Sequence, residues 1–212
     1  MNIVNVRSRA GTLDALGSEP NFFSRAYQKI RLFDQSIPLS NFIRSRTVID
    51  VGSSTGGFTK FALEKGAEKV IAVELGTRQM EPSLAMNKRV KPNEKTDIFE
   101  VGNSKRYKVF VQDISTAVMD VSFVSSKEIL LHLRENVLNK DSCIILLFKP
   151  QFEAFNNQLV NGIVKNSKIR REIIKSFEVW LKLNKFRIVT KQDSKLEGSK
   201  GNIERFYVLK SV

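Results

Sequence analysis

Thiol and imidazole side chains are nearly missing from this 212-residue chain, which has one cysteine, Cys143, and one histidine, His132. A single cysteine excludes an intrachain disulfide, and one cysteine with one histidine is too few ligands for a structural zinc site. A Ser-His-Asp or Cys-His mechanism would have to run through His132. That residue lies in an apolar helical stretch and reads as a packed or surface helix residue. Long hydrophobic runs are lacking too: no stretch approaches the ~20 apolar residues of a membrane-spanning helix. The N-terminus has no apolar core of a secretory signal, and no repeat or low-complexity tract is visible. These absences predict a protein of the reducing cytoplasm.

What is present describes a folded domain, with 42% hydrophobic and 27% charged residues. The length suits one α/β domain. Net charge is +13, from 35 Lys and Arg against 22 Asp and Glu. Such an excess favours polyanionic partners, whether RNA, DNA or an anionic membrane. The lysines are spread along the chain, however, which equally fits a generally basic, solvated surface.

The most informative stretch is Thr47-Val-Ile-Asp-Val-Gly-Ser-Ser-Thr-Gly-Gly-Phe-Thr59. A β-branched run stops at Gly52, a small polar loop follows, and a helical pattern begins with Phe58, Phe61 and Ala62 on one side. This is a buried strand, a tight turn and a helix N-terminus. Gly52, Gly56 and Gly57 allow close approach of a ligand, and free N–H groups at the helix start offer donors. Lys69-Val-Ile-Ala-Val-Glu74 is a second strand, ending in a carboxylate about 20 residues on, where a nucleotide site places its ribose-binding acid. The spacing G-x-x-x-G-G is not the dinucleotide fingerprint. It is not a P-loop either, since Phe58 and Thr59 stand where Lys and Ser/Thr are required. A nucleoside without a pyrophosphate, such as S-adenosyl-L-methionine, suits this loop; a turn that merely packs strand on helix would also explain the glycines.

Along the chain, residues 1–20 read as an N-terminal arm, and 21–212 as one domain. A helix carries Phe22, Phe23, Tyr27, Ile30 and Phe33, and a short segment with Phe42 and Ile43 follows Pro38. Residues 78–87 suit a short helix, Thr96–Val101 a short strand among Lys105, Arg106 and Lys108, and Ser115–Asp120 a strand. A helix over 123–138, in which Phe123 and Lys127 simply continue from Asp120, precedes the most apolar strand, Cys143–Phe148, expected in the sheet interior. A helix over 166–184 carries Ile169, Ile173, Phe177, Trp180 and Leu181 at helical spacing, which makes Trp180 core rather than a base-stacking platform. Strands at 186–190 and 205–209 close the chain. The alternation predicts a Rossmann-like, doubly wound, mostly parallel sheet, whose ligands bind beyond the carboxyl ends of the strands. Glu74, Asp120 and Lys149 all fall on that edge.

Five segments carry a resemblance: Gly52-Ser-Ser-Thr-Gly-Gly-Phe-Thr59, Met119-Asp-Val-Ser-Phe-Val-Ser125, Lys149-Pro-Gln-Phe-Glu-Ala154, Asn161-Gly-Ile-Val-Lys165 and Gly201-Asn-Ile-Glu204. In order and register from about residue 22 onward, the chain resembles the TlyA (haemolysin A) family of FtsJ-like ribose 2′-O-methyltransferases. The resemblance implies a class I, S-adenosylmethionine-dependent methyltransferase acting on ribosomal RNA or a ribosomal subunit. It also implies a catalytic tetrad, matched here by Lys29 (in Ser24-Arg-Ala-Tyr-Gln-Lys29), Asp120, Lys149 and Glu204. The cofactor residues it implies are Gly52, Ser53, Ser54, Thr55, Gly56, Gly57 and Phe58 for the methionine part, and Glu74 with Leu75 for the ribose. Asp97 would lie on the adenine side and Asp120 at the reacting end. Ala26 and Tyr27 replace paired glycines of the family, and the S4-type domain usual at the N-terminus is not expected here. Lys149, held by Asp120 and Glu204, would orient the ribose hydroxyl, with Lys29 stabilising developing negative charge. Arg25, Arg31, Lys165, Lys168, Arg170 and Arg171 are candidates for RNA phosphates. The competing readings are a membrane-active cytolysin and an RNA-binding module without activity.

Overall fold

Two apolar registers, alternating along each strand, decide the architecture. The structure, a computed structural model, describes residues 23–103 and 113–211. The expected N-terminal arm, and the positions of Lys105, Arg106 and Lys108, lie outside the described residues. The strands are β1 (Thr47–Val51), β2 (Lys69–Val73), β3 (Val90–Asn93), β4 (Ile114–Met119), β5 (Cys143–Phe148), β6 (Phe186–Asp193) and β7 (Arg205–Ser211). They form one sheet in the order β3-β2-β1-β4-β5-β7-β6. β1 to β5 pair in parallel, while β7 runs antiparallel between β5 and β6. The sheet is therefore doubly wound and mostly parallel, as the alternation of elements predicts.

Helices α1 (Arg25–Ser36), α2 (Ser40–Ile43), α3 (Gly57–Glu64), α4 (Pro82–Ala85), α5 (Ser126–His132) and α6 (Ser167–Leu183) cover both faces. Val48, Val70, Val118, Ile145 and Leu147 face a core closed by Ile30 and Phe33 of α1 and Phe58 and Phe61 of α3. Their neighbours Ile49, Ile71, Met119, Ile144 and Leu146 face the other core, closed by Ile129 and Leu130 of α5 and Ile173, Phe177 and Leu181 of α6. Burial on both faces is why these strands read as continuous apolar runs. All of β5 is buried, between β4 and β7.

Local chemistry sets the helix ends. Ser24 caps α1 by accepting from the Tyr27 N–H at 3.1 Å. Ile37 ends that helix in extended geometry, as suits a residue before proline. Asn166 caps α6 through the N–H groups of Lys168 and Ile169. Trp180 lies between Phe177 and Phe186 at centroid distances of 6.1 and 6.0 Å, and so belongs to the core.

Three elements differ from expectation. Thr96–Val101 is not a strand: Asp97 accepts from the Phe99 N–H and closes a 3-10 turn over Ile98–Glu100. The strand of this region is β3, hidden in the sequence by Pro92, which an edge strand tolerates. The helix expected from 123 begins only at Ser126, capped by Ser125, and its last turn widens into a π-turn over Leu133–Val137.

Candidate active site

Strand order reverses between β1 and β4, and a crevice opens there beyond their carboxyl ends. It encloses a cavity of about 290 Å³. One wall is the loop after β1, with Gly52, Ser53, Ser54, Thr55, Gly57 and Phe58; the others are Asp50, Asp120, Ser122, Lys149 and the start of α1 at Ser24, Arg25 and Ala26. Gly52 has φ +76°, and a Cβ on it would lie 2.9 Å from the Asp120 carbonyl oxygen. Glycine is thus what lets the ends of β1 and β4 approach. A Cβ on Gly57 would collide with Ser24 Oγ and approach the Tyr27 nitrogen to 2.9 Å, so α1 rests directly on the loop. Gly56, at φ +94°, precedes α3.

The tetrad positions form two ion pairs. Lys149 Nζ lies 2.7 Å from Asp120 Oδ1 and donates to Ser122 Oγ at 2.9 Å. Lys29 Nζ lies 2.5 Å from Glu204 Oε2, with both side chains buried. Glu204 thus faces Lys29, not Lys149 as expected. Arg25, one helical turn before Lys29, lines the cavity and donates to the Glu197 carbonyl at 2.6 Å, fastening α1 to the loop that leads to Glu204. Ala26 and Tyr27 lie within α1, where the backbone needs no glycine. The Tyr27 hydroxyl donates to Glu64 at 2.6 Å.

The other cofactor candidates gather at one corner. Glu74 accepts from the Ser54 N–H at 2.9 Å and the Gly76 N–H at 2.8 Å, tying the glycine loop to the end of β2. Leu75 beside it is exposed. The segment carrying Asp97 is stitched on by the Thr96 N–H, which donates to the Glu74 carbonyl at 3.0 Å.

By sequence alone, Asp50 is passed over and Phe123 is taken as a mere continuation of a helix. Asp50 is fully buried in β1, its Oδ2 accepting from Thr59 Oγ1 at 2.6 Å, while its Oδ1 has no hydrogen-bond partner. Burial pushes its carboxyl up to about 7, against the Thr59 hydrogen bond and helped by the Asp120 charge. An acid inside an otherwise apolar strand, two residues before the glycine, was the available signal. Phe123 does not continue a helix. It stands in left-handed backbone at φ +67°, 91% exposed, with its ring 5.1 Å from that of Phe152. Lys127 belongs to α5 and pairs with Glu153 at 3.7 Å.

His132 is buried, with Nε2 2.8 Å from the Val101 carbonyl, so it ties α5 to the 3-10 turn. Among the described residues no group of three or more His, Cys, Asp or Glu could hold a metal ion, and no helix is long and apolar enough to cross a membrane.

Known proteins resemble this chain over most of its length. The profile of the FtsJ-like methyltransferase family matches residues 22–211. The 23S rRNA (cytidine-2′-O)-methyltransferase TlyA of Campylobacter jejuni is 31% identical over 188 residues, 88% of this chain and 70% of that protein. Hemolysin A of Brachyspira hyodysenteriae is 30% identical over 185 residues, 86% of this chain and 74% of that protein. Among solved structures, a protein of Streptococcus thermophilus described as a candidate hemolysin superposes with a TM-score of 0.83 at 31% identity, over 92% of this chain and 69% of that one. Aeropyrum pernix fibrillarin with natively bound S-adenosyl-L-methionine shares the fold, with a TM-score of 0.57 at 15% identity, over 86% of this chain and 75% of that one.

Proposed function

This chain belongs to the FtsJ-like methyltransferase family, a family of S-adenosylmethionine-dependent enzymes, and we propose that its acceptor is a ribose 2′-hydroxyl of ribosomal RNA. The observation that carries the proposal is the Lys149–Asp120 ion pair opening onto the same cavity as the glycine loop.

The cavity suits the donor. The loop from Gly52 to Phe58 would hold its methionine part, and the unpartnered Asp50 Oδ1 complements an ammonium group there. Glu74 spends one bond on each carboxylate oxygen and keeps acceptor capacity for ribose hydroxyls. Leu75 and Asp97 would flank the adenine. When bound, the donor supplies a methyl group already activated on a sulfonium.

The protein's work is then to place the acceptor and manage one proton. Lys149 has three N–H donors and uses one on Ser122, so it can direct another to the 2′-oxygen and turn a lone pair toward the methyl carbon. The 2′-hydroxyl proton, lost as the acceptor oxygen takes the methyl group from sulfur, would pass to the Asp120 carboxylate held by Lys149 and from there to solvent. Lys29, fixed by Glu204, adds positive potential to the side where negative charge develops. The exposed Phe123 ring offers a face on which the base of the target nucleotide stacks.

Lys149→Ala tests this reading. Transfer of tritiated methyl groups to ribosomal subunits should fall at least a thousandfold, while calorimetry shows donor affinity within a few-fold. Full activity in the variant would refute the assignment.

A further inference from the structure

The seven strands of the sheet present a second edge, opposite the cavity, that the reaction does not use. Nearly every strand brings a cation to it. Lys91, Lys69 and Arg46 stand at the starts of β3, β2 and β1, Lys140 precedes β5, Arg187 opens β6, and Lys210 closes the antiparallel β7. Glu68, Asp113 and Asp141 are the acids along the same line. With neighbouring strands ~4.8 Å apart, the row is ~29 Å long, and the six residues of β5 separate it from Lys149 by ~20 Å.

At one end the row deepens into a cleft of about 700 Å³, lined by Arg134, Lys140, Arg187 and Lys210 against the single carboxylate of Asp141. These cations arrive from four different elements. Arg134 is oriented, its guanidinium 5.1 Å over the Phe186 ring and bonded to the Asn184 carbonyl. Among the described residues no carboxylate pairs with Lys140, Arg187 or Lys210.

Arg187 and Lys210 sit directly opposite each other across β6 and β7. Like charges in that relation destabilise a sheet. Lys69 and Lys91 lie close on the adjacent strands β2 and β3, where Lys91 pairs in register with Ile71: desolvation first, and the Lys69 charge second, hold Lys91 below the ordinary lysine range. Folding stability alone gives no reason to gather repelling cations on one edge. A polyanion bound there removes the repulsion.

We propose that this edge is a second docking surface for RNA, gripping the phosphate backbone of a segment remote from the methylated nucleotide. The proposal rests on the ribosomal RNA reading above and names a contact outside that site. A separation of ~20 Å means that the nucleotide in the cavity cannot itself reach the row; another part of the same folded RNA must. RNA fits better than an anionic bilayer because a convex phosphate ridge can enter a cleft, whereas a flat lipid surface cannot. Leu183 is the sole large, highly exposed hydrophobic side chain next to Arg134 in the adjoining depression, too little to anchor a protein in lipid.

The test is the double variant Arg187→Gln with Lys210→Gln. Its affinity for purified ribosomal RNA in ~0.15 M salt should fall on the order of tenfold, and the log–log salt slope by about 1.5, as expected for two lost phosphate contacts. Donor binding and methyl transfer to a short oligoribonucleotide acceptor should hold, and the melting temperature should hold or rise as the repulsion across β6 and β7 is removed. The charge-retaining exchange Arg187→Lys with Lys210→Arg should restore affinity, and Lys175→Gln, one exposed charge on α6, should leave it unchanged. An unaltered salt slope in the double variant would overturn the proposal. So would an equal loss in Lys175→Gln, or a loss confined to vesicles of phosphatidylserine. Failure of the parent protein to bind or methylate ribosomal RNA would instead defeat the underlying substrate reading.

Discussion

Asp50 lies inside a strand whose neighbours in the core are apolar, with one oxygen bonded to Thr59 and the other without a partner. Its carboxyl is pushed from 3.8 up to about 7, chiefly by burial. An unfolded chain would release that proton near pH 4. Between about pH 4 and pH 7 the folded state therefore holds a proton that the unfolded state has lost, and stability falls as pH rises through this window. Below it both states are protonated; above it both are ionised. Asp50→Asn, which keeps an acceptor for Thr59, should remove this slope. In thermal melts without donor, the variant's advantage over the parent should be larger at pH 8 than at pH 4, and parallel pH curves would show the shift to be absent. Phe123 poses the complementary case. A bulky residue at φ +67° with 91% exposure gains little from packing and carries backbone strain of roughly 1–2 kcal/mol. Phe123→Gly should leave stability unchanged or raise it by up to ~1 kcal/mol in urea melts, while methyl transfer to ribosomal subunits drops about tenfold or more through loss of the stacking face. Unchanged transfer would remove Phe123 from the site.

At the scale of elements, α1 is held over the glycine loop from two sides. Ser24 fills the space that a Cβ on Gly57 would need, and Lys29 and Arg25 reach across to Glu204 and the Glu197 carbonyl. The Lys29–Glu204 pair packs α1 in place and, in the proposed reaction, has a chemical role as well, and variants separate the two. Lys29→Met leaves a buried carboxylate without its counter-charge and should cost about 3–5 kcal/mol, a fall of roughly 10 °C in melting temperature. Adding Glu204→Gln should recover most of that stability without recovering methyl transfer. Recovery of both would reduce the pair to a structural clamp. The same helix shows why part of the site was hidden: the two partners are 175 positions apart. Nothing local in either sequence neighbourhood says that they touch.

For the whole molecule, strand direction sorts the charged residues into two opposite edges with different chemistry. Beyond the carboxyl ends lie Asp120, Lys149 and the glycine loop; at the other edge, among the described residues, cations outnumber carboxylates. The sequence alone determined what depends on near neighbours: the strand–turn–helix at Gly52, the buried run of β5, the amphipathic α6, and the strand-end positions of Asp120 and Lys149. Each follows from backbone preference or from apolar periodicity over a few residues. It also misread Thr96–Val101, because a β-branched pattern there lost to the side-chain bond of Asp97. Only the tertiary structure decided that Glu204 pairs with Lys29, that Phe123 stands exposed in left-handed backbone, and that cations in or just before six strands share one rim. Those facts depend on strand order and on which segments meet across the sheet, and packing free energy summed over the whole chain fixes them where local propensity is silent.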